Sequence, residues 1–204
     1  MNIAVKGNEN AVNLVMSLNP TLNWIIINGE NTVELDSAID VFVNLSESAP
    51  EEDYHSITCP VFINSVCLTL HEKKHPKNIV RINGWNGFLE RKTWEVAGEM
   101  MQQHINFLHA INRKYLTVAD EPGMVSARVI SMIINEAYFA MEDGISSEKE
   151  IDIAMKLGTN YPNGPFEWKT QIGAQPIFEL LKKLSTSDFK YRPSILLKAE
   201  AEKI

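Results

Sequence analysis

Cysteine is scarce: Cys59 and Cys67 are the only two in 204 residues, they form no C-x-x-C spacing, and both lie in or beside apolar segments. A disulfide framework is excluded, and reduced, core-packed thiols are expected. Basic charge is also short, with 19 Lys and Arg against 26 Asp and Glu, so the net charge of −7 repels a phosphate backbone. Nucleic acid is therefore not expected as a partner. No run approaches the roughly 18 apolar residues that span a bilayer, and Met1-Asn2-Ile3-Ala4-Val5-Lys6-Gly7 has no basic stretch followed by a sustained apolar one. No membrane partner and a cytoplasmic location follow as expectations. Glycine (10) and proline (9) are too few for a collagen-like or disordered chain, and 45% hydrophobic with 22% charged content is that of a globular protein. His71 and His75 are four apart, but Lys73, Lys74 and Lys77 beside them make an exposed basic turn of that segment. No metal is expected.

What is present divides near residue 120. Before it, short apolar runs separated by polar or Gly/Asn-rich breaks read as buried strands: Ile3 to Val5, Trp24 to Ile27, Val41 to Val43, Val61 to Ile63 and Ile79 to Ile82, then Thr93 to Ala97 and Tyr115 to Ala119. Between the first two, Ala11, Val12, Leu14, Val15 and Leu18 mark one face of a helix over Glu9 to Leu18, which Asn19-Pro20 stops. A βαβ unit and a parallel sheet result. A second helix is read over Glu99 to Asn112. After 120 the pattern is helical: Pro122 to Asp143 with Gly144 as its stop, Ser147 to Leu157 behind a Ser147/Glu150 capping box with Gly158 as its stop, then Gln175 to Leu184 and Ser194 to Lys203. The expected architecture is α/β plus all-α, a parallel-sheet domain over 1–119 followed by a helical domain over 120–204.

Four ordered motifs sit in the second half: Asp120-Glu121-Pro122-Gly123-Met124-Val125, Asn135-Glu136-Ala137, Ala154-Met155-Lys156-Leu157-Gly158, and Tyr161-Pro162-Asn163-Gly164-Pro165-Phe166-Glu167. Tyr191-Arg192-Pro193-Ser194 with Leu196-Leu197 closes the chain. Together they resemble the C-terminal domain of the 3-hydroxyacyl-CoA dehydrogenase family. The resemblance implies that residues 1–119 are a shortened, degenerate Rossmann-like dinucleotide-binding domain, with NAD as cofactor, a homodimer formed through residues 120–204, and oxidation of a 3-hydroxyacyl-CoA to the 3-oxoacyl-CoA in fatty-acid metabolism. In that family a histidine takes the proton of the 3-hydroxyl while hydride passes to NAD, and a glutamate orients the histidine.

The first half departs from this pattern. The family histidine opens an H-F-F-N-P stretch twelve residues before its glutamate; here Asn83-Gly84-Trp85-Asn86-Gly87 occupies the stretch and Glu95 the glutamate, so the base position reads Asn83. An amide takes no proton near neutral pH, and a positioned general base contributes about 10²- to 10⁴-fold to rate. Asn86 keeps the motif's asparagine, Val66 or Cys67 stands where the family has a substrate-holding serine, and Ala127 stands where it has an asparagine. The G-x-G-x-x-G loop falls on Gly7 to Val12 with Gly7 alone retained and Glu9 at the middle glycine, where it adds bulk and negative charge beside an anionic ligand. Asn28 takes the place of the ribose-binding acid, and Glu30 lies two residues on. NAD binding is expected to be weakened or lost, and the expectation is a dehydrogenase-like protein of weak or no activity. The alternatives are an active oxidoreductase with a relocated base, and a non-catalytic acyl-CoA-binding or assembly subunit.

Overall fold

The computed structural model describes residues 1–28, 38–47 and 49–203. The chain forms two compact units, Met1–Met124 and Val125–Ile204.

In the first unit seven strands make one sheet: β1 (Asn2–Lys6), β2 (Asn23–Ile26), β3 (Val41–Asn44), β4 (Val61–Asn64), β5 (Ile79–Ile82), β6 (Thr93–Ala97) and β7 (Lys114–Thr117). Their order is β2-β1-β3-β4-β5-β6-β7. All seven apolar runs read from the sequence are strands. β2, β1, β3, β4 and β5 are mutually parallel, but β6 runs antiparallel to β5, pairing Arg81 with Ala97 and Ile82 with Val96. The expectation of a parallel sheet is corrected at this one joint. Residues 83–92 connect β5 to β6 with no helix, and a connection that short returns the chain in the opposite direction. β7 is parallel to β6 because a helix crosses between them.

That helix, α3 (Gln102–Ala110), and α1 (Glu9–Leu18) cover one face of the sheet, where Val12 and Val15 of α1 and Phe107, Leu108 and Ile111 around α3 meet Ile3, Val43, Phe62, Val80, Ile82 and Val96. Each of these fully buried side chains is worth about 1.5–3 kcal/mol. The opposite face is covered without a long helix. A 3-10 turn at Ala49–Glu51, with Tyr54 and Ile57, packs on Ala4, Phe42, Val61, Ile63 and Ile79. The four-residue helix α2 (Leu70–Lys73), opened by a Thr69/Glu72 capping box, was not legible as a helix in the sequence.

Arg81 is the exception inside this second face, a charged residue within an apolar strand and fully buried. Its Nε donates to Asp120, one terminal nitrogen donates to the carbonyls of Ser65 and Val66, and the other to the carbonyl of Glu121. Asp120 in turn accepts the backbone N–H groups of Leu70 and His71 at the start of α2, and the Gly123 N–H donates to the Val66 carbonyl at 2.8 Å. Burial lowers the guanidinium's pKa and the Asp120 carboxylate opposes that shift.

The second unit is all-helical: α4 (Ser126–Glu142), α5 (Glu148–Thr159), α6 (Pro165–Ile172), α7 (Ala174–Ser185) and α8 (Ile195–Ala201). α4 begins four residues after Pro122, because Gly123 and Met124 both take positive φ and only then does the chain enter the helix. α5 passes Gly158 and ends at Asn160 in the left-handed conformation, so the stop read at Gly158 lies two residues early. α6, with Pro165 at its first position and Gly164 as cap, was masked in the sequence by its short length. Tyr138 of α4 stacks edge-on against Phe166 at 5.1 Å, and Asn135 clamps the last connection, donating to the Arg192 carbonyl and accepting the Ser194 N–H. Among the described residues no helix is long and apolar enough to cross a membrane. Cys59 and Cys67 are both free thiols.

Breaking the ion pair of Arg81 while keeping shape should be costly, because it leaves a guanidinium uncompensated. Asp120→Asn is expected to lower stability by about 3 kcal/mol, the low end for a buried pair since Asp120 keeps partial solvent access. Urea unfolding followed by circular dichroism checks this, and a loss below about 1 kcal/mol would place the pair with exposed ones.

Candidate functional site

In sheets of this kind a ligand crevice opens beyond the carboxyl ends of the strands, where the connections diverge. Here the divergence lies between β1 and β3, which puts Gly7 and Asn8 on one lip and Leu45 and Ser46 on the other. Gly7 has φ +155, and a Cβ on it would stand 2.9 Å from the Leu45 Cβ. Glycine is thus required by the protein's own packing. The Leu45 N–H also donates to the Lys6 carbonyl at 2.7 Å, drawing the two lips together.

The N-terminus of α1 is satisfied internally. The Asn8 side chain accepts the Ala11 N–H at 2.9 Å, and Glu9 adds an exposed carboxylate to the first turn, where the helix dipole favours an anion. Beneath the lips lies a polar cluster that the sequence did not announce. Lys6, nearly buried, pairs with Glu52 at 2.9 Å; Asn44 donates to both Glu52 and the Tyr54 hydroxyl; Tyr54 donates to the Ala49 carbonyl. A lysine closing an apolar strand was its only trace in the sequence. Asn28 follows β2 and is exposed, and Glu30 lies outside the described residues.

The second constellation is at the β5/β6 joint. The antiparallel register pairs Arg81 with Ala97 and Ile82 with Val96; Asn83 follows the last residue of β5, and Glu95 precedes Val96 on β6. Asn83 is 6% exposed; its Oδ1 accepts the Trp85 N–H at 3.2 Å, while its Nδ2 has no hydrogen-bond partner among the described residues. The next peptide is fixed from the neighbouring strand, since the Gly84 N–H donates to Asn64 Oδ1 at 3.0 Å and a Cβ on Gly84 would overlap the Asn64 side chain. Asn86 is exposed on the loop.

Glu95 is half-buried and acts on Arg91, whose pKa burial lowers and whose charge the carboxylates of Glu95 and Glu90 favour. The Arg91 guanidinium lies 3.9 Å above the ring of Phe88, and Trp85 meets the same ring edge-on. Arg91 went unnoticed in the sequence because nothing in its spacing marks a stacked cation. Trp94, by contrast, is core, donating to the Leu89 carbonyl.

Val66 is buried on the loop after β4, with its carbonyl taken by Gly123 and Arg81. Ala127, at the start of α4, is buried within the helical unit. The histidines are held in other roles. His104 is fully buried on α3, accepting the Met101 N–H and packing edge-on against Phe62 at 5.0 Å, and burial lowers its pKa. His75 packs against Tyr54 and is likewise lowered by burial; His55 pairs with Asp53; His71 and His109 are exposed. Among the described residues no group of three or more His, Cys, Asp or Glu could hold a metal ion.

Residues 123–203 match the family model described as 3-hydroxyacyl-CoA dehydrogenase, C-terminal domain. The chain is 44% identical over 99 residues to 3-hydroxyadipyl-CoA dehydrogenase of Escherichia coli, a match over 48% of this chain and 21% of that one. It is 30% identical over 170 residues to 3-hydroxybutyryl-CoA dehydrogenase of Clostridioides difficile, over 78% of this chain and 58% of that one. The chain thus spans less than two thirds of the length of these relatives. In fold it is similar to the (S)-3-hydroxybutyryl-CoA dehydrogenase of Ralstonia eutropha, with a TM-score of 0.75 at 18% identity over 97% of this chain and 92% of that one.

Proposed function

We propose, for a chain that belongs to the 3-hydroxyacyl-CoA dehydrogenase family, a protein that binds an acyl-CoA thioester at the β5/β6 joint and transfers hydride weakly or not at all. The single observation that carries this reading is a buried amide, Asn83, just beyond the end of β5 at the place of the base, with Glu95 kept on β6. The position that would take a proton holds a group with none to take and no basic lone pair, while the carboxylate that would orient a base is retained. Losing the base alone removes about 3–5 kcal/mol of transition-state stabilisation.

The cofactor lip supports the same reading. NAD, as an electron acceptor, would bring its pyrophosphate to the start of α1, and the residues there do not fit it. Asn8 occupies the Ala11 N–H, Glu9 places a like charge in the first turn, and Leu45 fills the space beside Gly7. No step of a mechanism is routed through that group. What the chain's own residues offer is positioning: an amide fixed on both sides, an aromatic pair at Trp85 and Phe88, and the cation of Arg91.

The partner in this proposal is a second copy. α5 buries none of its residues, and Ile153 and Leu157 on it, with Val125 and Val129 at the start of α4, are strongly exposed. Exposed apolar side chains of this kind on one unit suit a self-complementary contact. Light scattering is expected to give twice the 23.1 kDa of one chain, and a monomer at micromolar concentration would contradict it.

Calorimetric titration tests the ligand. Acetoacetyl-CoA is expected to bind with a dissociation constant in the range of about 1 μM to 1 mM usual for such ligands, and NADH to give no saturable signal up to about 1 mM. Tight NADH binding would show that the α1 lip has been misread; absence of any thioester binding would remove the proposed ligand.

A further inference from the structure

Four asparagines in the chain precede a glycine: Asn28-Gly29, Asn83-Gly84, Asn86-Gly87 and Asn163-Gly164. Gly29 lies outside the described residues, and the fold treats the other three steps differently. An Asn-Gly step is reactive because no glycine side chain shields the following backbone nitrogen, which can close a five-membered ring on the asparagine side-chain carbonyl once its proton leaves. A hydrogen bond that engages this N–H, or burial that keeps water and hydroxide away, opposes the closure. Both act at Asn83. It is 6% exposed, its Oδ1 accepts the Trp85 N–H at 3.2 Å, and the Gly84 N–H donates to Asn64 Oδ1 at 3.0 Å. Asn163 is held as firmly. The Gly164 N–H donates to Glu167 Oε2 at 2.9 Å, and Gly164 lies so close to Asp152 that a Cβ on it would overlap the Asp152 side chain.

Neither protection exists at Asn86. The residue is exposed, and among the described residues neither its side chain nor the Gly87 N–H has a hydrogen-bond partner. The turn that carries it is closed one residue further on, where the Phe88 N–H donates to the Trp85 carbonyl at 3.0 Å and Gly87 takes φ +87. The Gly87 nitrogen is left to solvent. We infer that Asn86 is a site of spontaneous deamidation, and that the hydrogen bonds from Asn64 and Glu167 protect Asn83 and Asn163 from the same reaction. The Gly87 nitrogen gives its proton to hydroxide and bonds to Asn86 Cγ; the bond from Cγ to Nδ2 breaks, and that nitrogen leaves as ammonia with a proton from water. Water then opens the imide ring. Cleavage at Cγ yields aspartate, and cleavage at the backbone carbonyl yields isoaspartate, with the main chain rerouted through Cβ. Nothing is oxidised or reduced, and solvent is the only co-reactant. Either product sets a new carboxylate in the loop that carries Trp85, Phe88 and Arg91, on a chain whose net charge is already −7.

The test holds the full chain in warm, mildly alkaline buffer, samples it over time, and reads the digests by fragmentation mass spectrometry, which resolves Asn83 from Asn86 within a single peptide. Asn86 is expected to gain about one dalton at a rate roughly tenfold above those of Asn83 and Asn163, the ratio that a barrier lower by about 1.4 kcal/mol gives. The rate should rise with pH, because hydroxide takes the proton. Repeating the incubation in concentrated urea removes the hydrogen bonds from Asn64 and Glu167, and the three rates should then converge to within about threefold. Asn64→Ala frees the Gly84 N–H in the folded chain and should carry the Asn83 rate toward that of Asn86. Circular dichroism establishes that this variant is folded, and where it is not, the urea comparison decides. Equal rates in the native chain, a lag at Asn86 that urea relieves, or a lead of Asn86 that persists unchanged in urea would each overturn the inference.

Discussion

A guanidinium removed from water is tolerable only when its donors are matched in place, and Arg81 meets that condition by gathering three separate stretches of chain. The loop after β4 supplies the carbonyls of Ser65 and Val66, the segment after β7 supplies Asp120 and the Glu121 carbonyl, and Asp120 then fixes the first N–H groups of α2. β5 is held from both sides as a result. Asn83 lies two residues beyond Arg81, just past the end of β5, so its placement follows from how this buried charge anchors the strand. Hydrophobic burial makes the sheet; the ion pair selects how its central strands and loops meet.

The strands were legible because a strand buried on both faces must be apolar throughout, and Val41-Phe42-Val43 or Val61-Phe62-Ile63 admit few other readings. Direction was less legible. Nothing in Thr93 to Ala97 states that it runs against Ile79 to Ile82; the length of the connection decides that, and the loop over 83–92 carried a motif that drew the eye to chemistry. Helix ends were misjudged where conformation overrode composition. At Pro122-Gly123-Met124 two positive φ values delay α4, and at Gly158 the helix continues because Asn160 supplies the left-handed cap instead.

The candidate site was legible where spacing translates directly into register. Asn83 and Glu95, twelve apart, fall on the two sides of the antiparallel joint, one just after Ile82 and the other just before Val96. Gly7 was legible as a residual glycine, but its reason was not, because Leu45 lies 38 residues away and only tertiary packing brings it there. The Lys6, Asn44, Glu52 and Tyr54 cluster and the stacking of Arg91 on Phe88 were equally invisible, being assembled from loops whose sequence has no period. The orphan Nδ2 of Asn83 is a property of three dimensions alone.

In the function proposed above, a site that fixes an amide, retains a carboxylate and fills its own nucleotide lip holds a thioester without redox turnover. The most direct measurement is a steady-state assay of the full chain with acetoacetyl-CoA and NADH, followed by absorbance of the reduced nicotinamide. The account predicts a rate indistinguishable from the uncatalysed mixture. Turnover at about 1 s⁻¹ or faster, the ordinary range for enzymes, would contradict it.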